Sequence, residues 1–304
     1  MVQKIISISG LTKKFGNDLV LNNMSMNVYK GDIYGLLGPN GVGKTTTIKI
    51  MLGLLSFENG DINILGVNPI KDGDYLRQKV NALPENYGVY GWMSAVEYLK
   101  LFSNLYGYKH TKSNIFEKLT EVGLNPDEIK PIKYYSQGMK KRIGIARALI
   151  NNPELLFLDE PTTGLDPRGR REIHNLLLNL NKEFGVTIII STHILDDVER
   201  LCNRIGILFD GALKYEGDII SNAKDISSKF KFKLDDANVP LSKFEESGLK
   251  VVRKEGMSII CEVRNNVSTN NIIKKMILKN IPIVEIEKLT NTVEDLYLKY
   301  TGGI

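Results

Sequence analysis

Cysteine is scarce in this chain: Cys202 and Cys261 are the only two. They lie far apart in sequence and near no cluster of ligand residues, which argues for reduced packing thiols and against a disulfide or a thiolate metal site. Histidine is nearly as rare. His110, His174 and His193 form no metal-ligand spacing, and His110 and His174 read as ordinary surface residues. Long apolar runs are missing as well, none reaching the roughly 18–20 residues that a membrane span requires. The N-terminus has no basic segment followed by an apolar core, so no signal peptide is expected and the chain is placed in the cytoplasm. A formal net charge of +5 over 304 residues is too mild to choose between phosphate, lipid and protein partners.

What is present is an alternation of short apolar runs and helix-period segments. At this length one large and one small domain are expected. Ile5–Leu11, Leu21–Val28, Asp32–Leu37, Asp61–Leu65, Leu155–Leu158, Thr187–Ile190 and Arg204–Phe209 read as strands. Thr45–Leu55, Ala95–Leu105, Ser113–Val122, Gln137–Ile150 and Pro167–Phe184 carry apolar residues at helical spacing. The alternation predicts an α/β domain over residues 1–222, with a helical subdomain at about 86–152. Around Ser221–Ser228 the pattern changes, which suggests a linker. Residues 228–304 then read as a small α+β accessory domain in the order β-α-β-β-α-β, a ferredoxin-like arrangement. Within it, Glu255-Gly256 suits a hairpin turn, and Thr292 with Asp295 can cap a last helix, Val293–Tyr300.

The chemistry concentrates at Gly38-Pro39-Asn40-Gly41-Val42-Gly43-Lys44-Thr45-Thr46. The first eight residues fit G-x-x-x-x-G-K-[ST] between a predicted strand and a predicted helix, the context of a phosphate-binding loop. Glycines let the backbone turn tightly enough to aim N–H groups at phosphate oxygens, and the helix adds its positive N-terminal end. Lys44 is expected on the β- and γ-phosphates of ATP, and the Thr45 hydroxyl on Mg2+. The dinucleotide pattern G-x-G-x-x-G is excluded, because the glycines run G-x-x-G-x-G and Lys-Thr follows. Leu155–Leu158 is an apolar strand ending in Asp159-Glu160. A carboxylate at the end of a strand beside the phosphate loop suits the Mg2+ shell, which assigns Asp159 to the metal. Glu160, pointing differently, suits the general base that polarises the attacking water.

Further along, Tyr135-Ser136-Gln137-Gly138-Met139-Lys140-Lys141-Arg142, Gly164-Leu165-Asp166 and Ser191-Thr192-His193 follow in an order that resembles the signature, D-loop and H-loop of ABC ATPases. The resemblance covers about residues 1–220 and implies a P-loop NTPase fold with ATP-hydrolysing activity. It implies that Phe15 stacks on adenine, that Glu85 takes the place of the Q-loop glutamine and reaches the metal or its water, and that His193 holds the γ-phosphate or the attacking water. It implies, too, that Asp166 belongs to the nucleotide site. Ser136 and Gly138 would act on the ATP of a second copy, in a head-to-tail dimer. The Tyr-Ser-x-Gly-Met form, Leu83-Pro84-Glu85 and the closing Val293–Gly302 are similar to ATP-binding subunits of ABC transporters of the drug- and antibiotic-export type. These power a separate membrane permease that moves drug, antibiotic, peptide or lipid-like cargo, so the chain is expected to sit peripherally on the inner face of the membrane. Residues 87–93, rich in Tyr, Trp and Gly, either line the groove for a permease helix or pack Trp92 inside the helical subdomain. The other reading, a soluble ABC-type ATPase acting on nucleic acid or ribosome, fits less well. Only one P-loop and one signature are present, no heptad run interrupts them, and no nucleic-acid partner is expected.

Overall fold

The computed structural model describes residues 3–219, 228–236, 238–263, 269–289 and 293–302. Contacts divide the chain into two compact units, Met1–Gly217 and Asp218–Ile304. Nearly all of the expected linker at Ser221–Ser228 lies outside the described residues, as does the expected cap Thr292.

The first unit opens with β1 (Lys4–Phe15) and β2 (Asp18–Tyr29), which pair antiparallel with Phe15 opposite Asp18. β1 outruns the predicted Ile5–Leu11 because its ladder shifts register between Ile8 and Leu11, where Gly10 has a φ of 64°. Such a bulge breaks the two-residue period on which strand reading depends. β3 (Ile33–Leu37) leads through the glycine loop into α1 (Lys44–Met51), and β4 (Asn59–Ile64) returns to complete a sheet in the order β2-β1-β4. Next come α2 (Gly73–Lys79) and β5 (Val80–Leu83), neither of which the apolar pattern announced. The helices α3 (Ala95–Leu105), α4 (Lys112–Glu121) and α5 (Gln137–Ala148) follow.

The chain then lays down β6 (Leu155–Asp159), α6 (Pro167–Phe184), β7 (Thr187–Thr192), α7 (Leu195–Leu201), β8 (Arg204–Phe209) and β9 (Ala212–Asp218). The second sheet has the order β5-β6-β7-β3-β8-β9 and is parallel from β5 through β8. Every residue of β3, β6 and β7 is buried, as expected of central parallel strands that read as continuous apolar runs. Ile8 of β1, Met24 of β2, Ile48 and Met51 of α1 and Phe157 of β6 share one core. Burying a side chain of this size contributes roughly 1.5–3 kcal/mol. The eight-residue α1 is too short to persist by itself, so this packing is what holds it under the phosphate loop.

The second unit contains β10 (Ser228–Leu234), a short α8 (Ser242–Glu245), β11 (Leu249–Glu255), β12 (Ser258–Val263), α9 (Thr269–Leu278), β13 (Ile283–Leu289) and α10 (Val293–Thr301). Its sheet is antiparallel in the order β11-β12-β10-β13, so β12 lies between β10 and β11, which run in the same direction. Phe230, Phe232, Phe244, Ile259, Cys261 and Met276 form its core. Cys202 and Cys261 are both buried and free. Burial pushes the Cys261 thiol up to about 12.

Candidate phosphate site

Gly38 follows β3 directly, and its N–H donates to the Thr192 carbonyl at 3.3 Å. A Cβ there would lie 2.5 Å from the Leu208 carbonyl oxygen, so only glycine fits between the strands. Gly43 takes a φ of 111° immediately before α1, a backbone conformation open to glycine and strained for other residues. The turn delivers Lys44 into the interior, where it is 6% exposed. Its Nζ donates to the carbonyls of Gly38 at 2.7 Å and Pro39 at 3.2 Å, and lies 3.3 Å from Glu160 Oε1.

The two acids closing β6 serve different partners. Asp159 Oδ2 accepts from Thr45 Oγ1 at 2.8 Å, and its other oxygen accepts from Ser191 Oγ. The expected adjacency of strands needs correcting here. β6 is not the neighbour of β3, because β7 lies between them. The Asp159 side chain spans that gap, and Ser191 on β7 braces it. Glu160 Oε1 lies 3.0 Å from His193 Nδ1, while Oε2 accepts from Thr163 Oγ1 at 2.9 Å. A carboxylate only accepts, so this contact places the His193 proton on Nδ1. Glu160 has a φ of 50°, uncommon for a residue with a side chain and costing of order 1–3 kcal/mol. Its N–H is held by the Ser191 carbonyl at 3.1 Å. A lysine, a carboxylate and an imidazole meeting at a helix N-terminus can hold a polyphosphate and take a proton from water.

Asn40, Gly41, Gly43, Lys44, Thr45, Thr46, Glu85, Glu160, Thr163 and His193 line one cleft of about 400 Å³. Ser136, Gly138 and Asp166 line another, of about 420 Å³, which shares no residue with the first. Ser136 caps α5 by accepting from the Met139 N–H at 3.2 Å, and Asp166 caps α6 by accepting from the Gly169 N–H at 2.7 Å. Phe15 is 47% exposed, with the Lys13 ammonium 5.0 Å from its ring centre, and lines neither cleft. Pro39 and Val42 belong to the loop wall: the Val42 side chain lies 2.9 Å from where a Cβ on Gly38 would be.

The expectation that His174 lies at the surface is wrong: it is 3% exposed, with Nε2 2.8 Å from Asp197 Oδ1. The reason is the packing of α6, whose Ile173, His174 and Leu177 all face inward. Asp197 of α7 also accepts from Thr162 and, at 3.1 Å, from Thr192. The carboxylate thus joins the segments that follow Glu160 and precede His193. Neither Asp197 nor Thr163 stood out in the sequence: the Asp197 partners Thr162, His174 and Thr192 follow no recognised spacing, and neither does Thr163 with Glu160 three residues before it. Trp92 is 70% exposed and is not packed inside the helical subdomain.

No helix among the described residues is long and apolar enough to cross a membrane. Residues 21–163 match the protein family described as "ABC transporter". Over 98% of both chains, the sequence is 37% identical to the bacitracin transport ATP-binding protein BcrA of Bacillus licheniformis. It is 40% identical to the lantibiotic transport ATP-binding protein SrtF of Streptococcus pyogenes, over 70% of this chain and 90% of that one. Among solved structures it is similar to the ATP-binding cassette MJ0796, a dimer in a post-hydrolysis state with ADP and Pi. That match has a TM-score of 0.61 and 25% identity, over 71% of this chain and 99% of that one.

Proposed function

Because the chain belongs to the ATP-binding subunits of ABC transporters, we propose that it hydrolyses ATP at Gly38–Thr46 to drive export by a separate membrane permease. The cargo class is an antibiotic, peptide or lipid-like molecule, the reading supported by similarity to bacitracin and lantibiotic transport proteins. These relatives do not favour the nucleic-acid or ribosome alternative.

One observation carries the catalytic reading: Glu160 faces both Lys44, at 3.3 Å, and His193, at 3.0 Å. With ATP in the loop, γ-phosphate oxygens replace the Gly38 and Pro39 carbonyls as acceptors from Lys44. Glu160 takes the proton of the attacking water while the water oxygen bonds to the γ-phosphorus. The bridging β–γ P–O bond breaks, leaving ADP and phosphate. His193 orients the γ-phosphate or that water. Among the described residues no three His, Cys, Asp or Glu side chains form a closed metal cage. Thr45 and Asp159 instead offer hard oxygens 2.8 Å apart, the donor set Mg2+ takes when nucleotide phosphates complete its shell. Mg2+ held there would supply charge neutralisation on the β- and γ-phosphates. Glu85, at the same cleft, is placed to reach its water.

Ser136 and Gly138 stand in the second cleft, so their part is assigned to the ATP of another copy, with Asp166 at the same seam. Phe15 offers an exposed face to adenine. Exposed Trp92 and Tyr90, together with a cleft of about 470 Å³ bordered by Leu52, Leu54, Leu105 and Tyr106, suit a short permease helix. On this reading the chain sits peripherally at the cytoplasmic face of the membrane. Glu160→Gln should bind Mg-ATP within about three-fold of the unmodified affinity while turnover falls by roughly 10²- to 10⁴-fold. Turnover at the unmodified rate would remove Glu160 from the role of base.

A further inference from the structure

One cation near the acids belongs neither to the phosphate loop nor to any role assigned above. Lys141, on the second turn of α5, is only 7% exposed. Its Nζ donates to the Glu160 carbonyl oxygen at 3.1 Å and lies 5.4 Å from the Tyr87 ring centre. Burial alone makes a lysine ammonium costly. That burial pushes the Lys141 ammonium below its ordinary range, and the charges of Glu85, Glu160 and Asp159 oppose the shift. The acids that surround the γ-phosphate position therefore favour its charged form.

The acceptor is the telling part. Glu160 is held at a φ of 50°, and a strained backbone persists only where its surroundings over-determine it. On one side of that residue, the Ser191 carbonyl on β7 accepts from the Glu160 N–H at 3.1 Å. On the other, Lys141 takes the carbonyl. The helix that carries Lys141 is fixed too. A Cβ on Gly144, one turn further along α5, would lie 2.6 Å from the Tyr87 ring, so helix and ring are in direct contact. Ser136, the cap of the same helix, lines the signature cleft.

We infer that Lys141 is a positioning residue, holding the Glu160 carbonyl so that the carboxylate stays aimed between Lys44 and His193. The inference rests on the reading of Glu160 as the general base. Lys141 does not line the phosphate-loop cleft, and the inference gives it no part in nucleotide affinity. Its effect falls on turnover, because a carboxylate displaced by about 1 Å can lose on the order of 10²-fold in rate.

The test compares steady-state ATP hydrolysis by the full chain with fluorescent-nucleotide binding and thermal unfolding. Lys141→Met keeps the length and the apolar stem but has no donor. It should lower kcat by roughly 10- to 100-fold, with KM and nucleotide affinity changed by less than about three-fold. Lys141→Gln restores an N–H donor without the charge and should return kcat to within about five-fold of the unmodified chain. Should the Met chain not fold, the Gln chain decides alone: near-normal kcat supports the inference and a loss beyond ten-fold overturns it. A folded Lys141→Met chain with normal kcat, or one whose loss lies in KM, also overturns it. Absence of ATP turnover in the unmodified chain would instead overturn the hydrolase reading, and this inference with it.

Discussion

Lys44 spends its three N–H bonds inside the site, on the carbonyls of Gly38 and Pro39 and toward Glu160. A bound triphosphate offers it stronger, anionic acceptors, and a charge-assisted hydrogen bond of this kind contributes about 1.5–3 kcal/mol. Lys44→Ala should therefore weaken nucleotide binding by roughly 10- to 150-fold, as read by fluorescent-nucleotide titration; full affinity would contradict the placement of the lysine on phosphate. Lys44, Thr45, Asp159 and Glu160 were legible in the sequence because their chemistry demands fixed residue types at fixed spacing. Thr163 and Asp197 were not, and Lys141 was read only as part of the signature segment, with no role of its own. Asp197 and Lys141 act on groups that the fold brings close, as Lys141 does on a carbonyl 19 residues on, while Thr163 acts on Glu160 three residues before it in no recognised motif. His174 was misread for the same reason, its role set by which face of α6 turns inward.

At the scale of elements, helices with strong end signals were the most legible. α3 starts at a reciprocal cap in which the Glu97 N–H donates to Ser94 Oγ at 3.3 Å and the Ser94 N–H to Glu97 Oε2 at 2.8 Å. Loss of the Ser94 hydroxyl leaves one helix N–H without its partner, so Ser94→Ala should lower stability by about 1 kcal/mol. Urea unfolding followed through Trp92, the only tryptophan and two residues from the cap, reads this directly; an unchanged midpoint would mean that the cap contributes nothing. Short elements escaped. β5 is four residues with Asn81 and Ala82 at its centre, too brief for a period, yet it pairs with β6 and leads to Glu85. α7, seven residues long, was equally silent, although Asp197 on it ties Thr162, Thr192 and His174 together.

At the scale of the whole molecule, the proposed nucleotide site is divided between two clefts of the chain, one at the phosphate loop and one at Ser136 and Gly138. The phosphate-loop cleft and the signature cleft share no lining residue, and Ser136 is an exposed helix cap rather than a ligand of its own loop. The resemblance to ABC ATPases implied this division, whereas the separation of the clefts became visible only in the fold. The central claim is that a second copy completes each site. The most direct test is the sedimentation of Glu160→Gln with Mg-ATP, alone and combined with Ser136→Arg. The account predicts an ATP-dependent dimer holding two nucleotides for Glu160→Gln. It predicts a monomer that still binds ATP when Ser136→Arg is added. A Glu160→Gln chain that binds ATP and remains monomeric, or a dimer indifferent to Ser136→Arg, would contradict it.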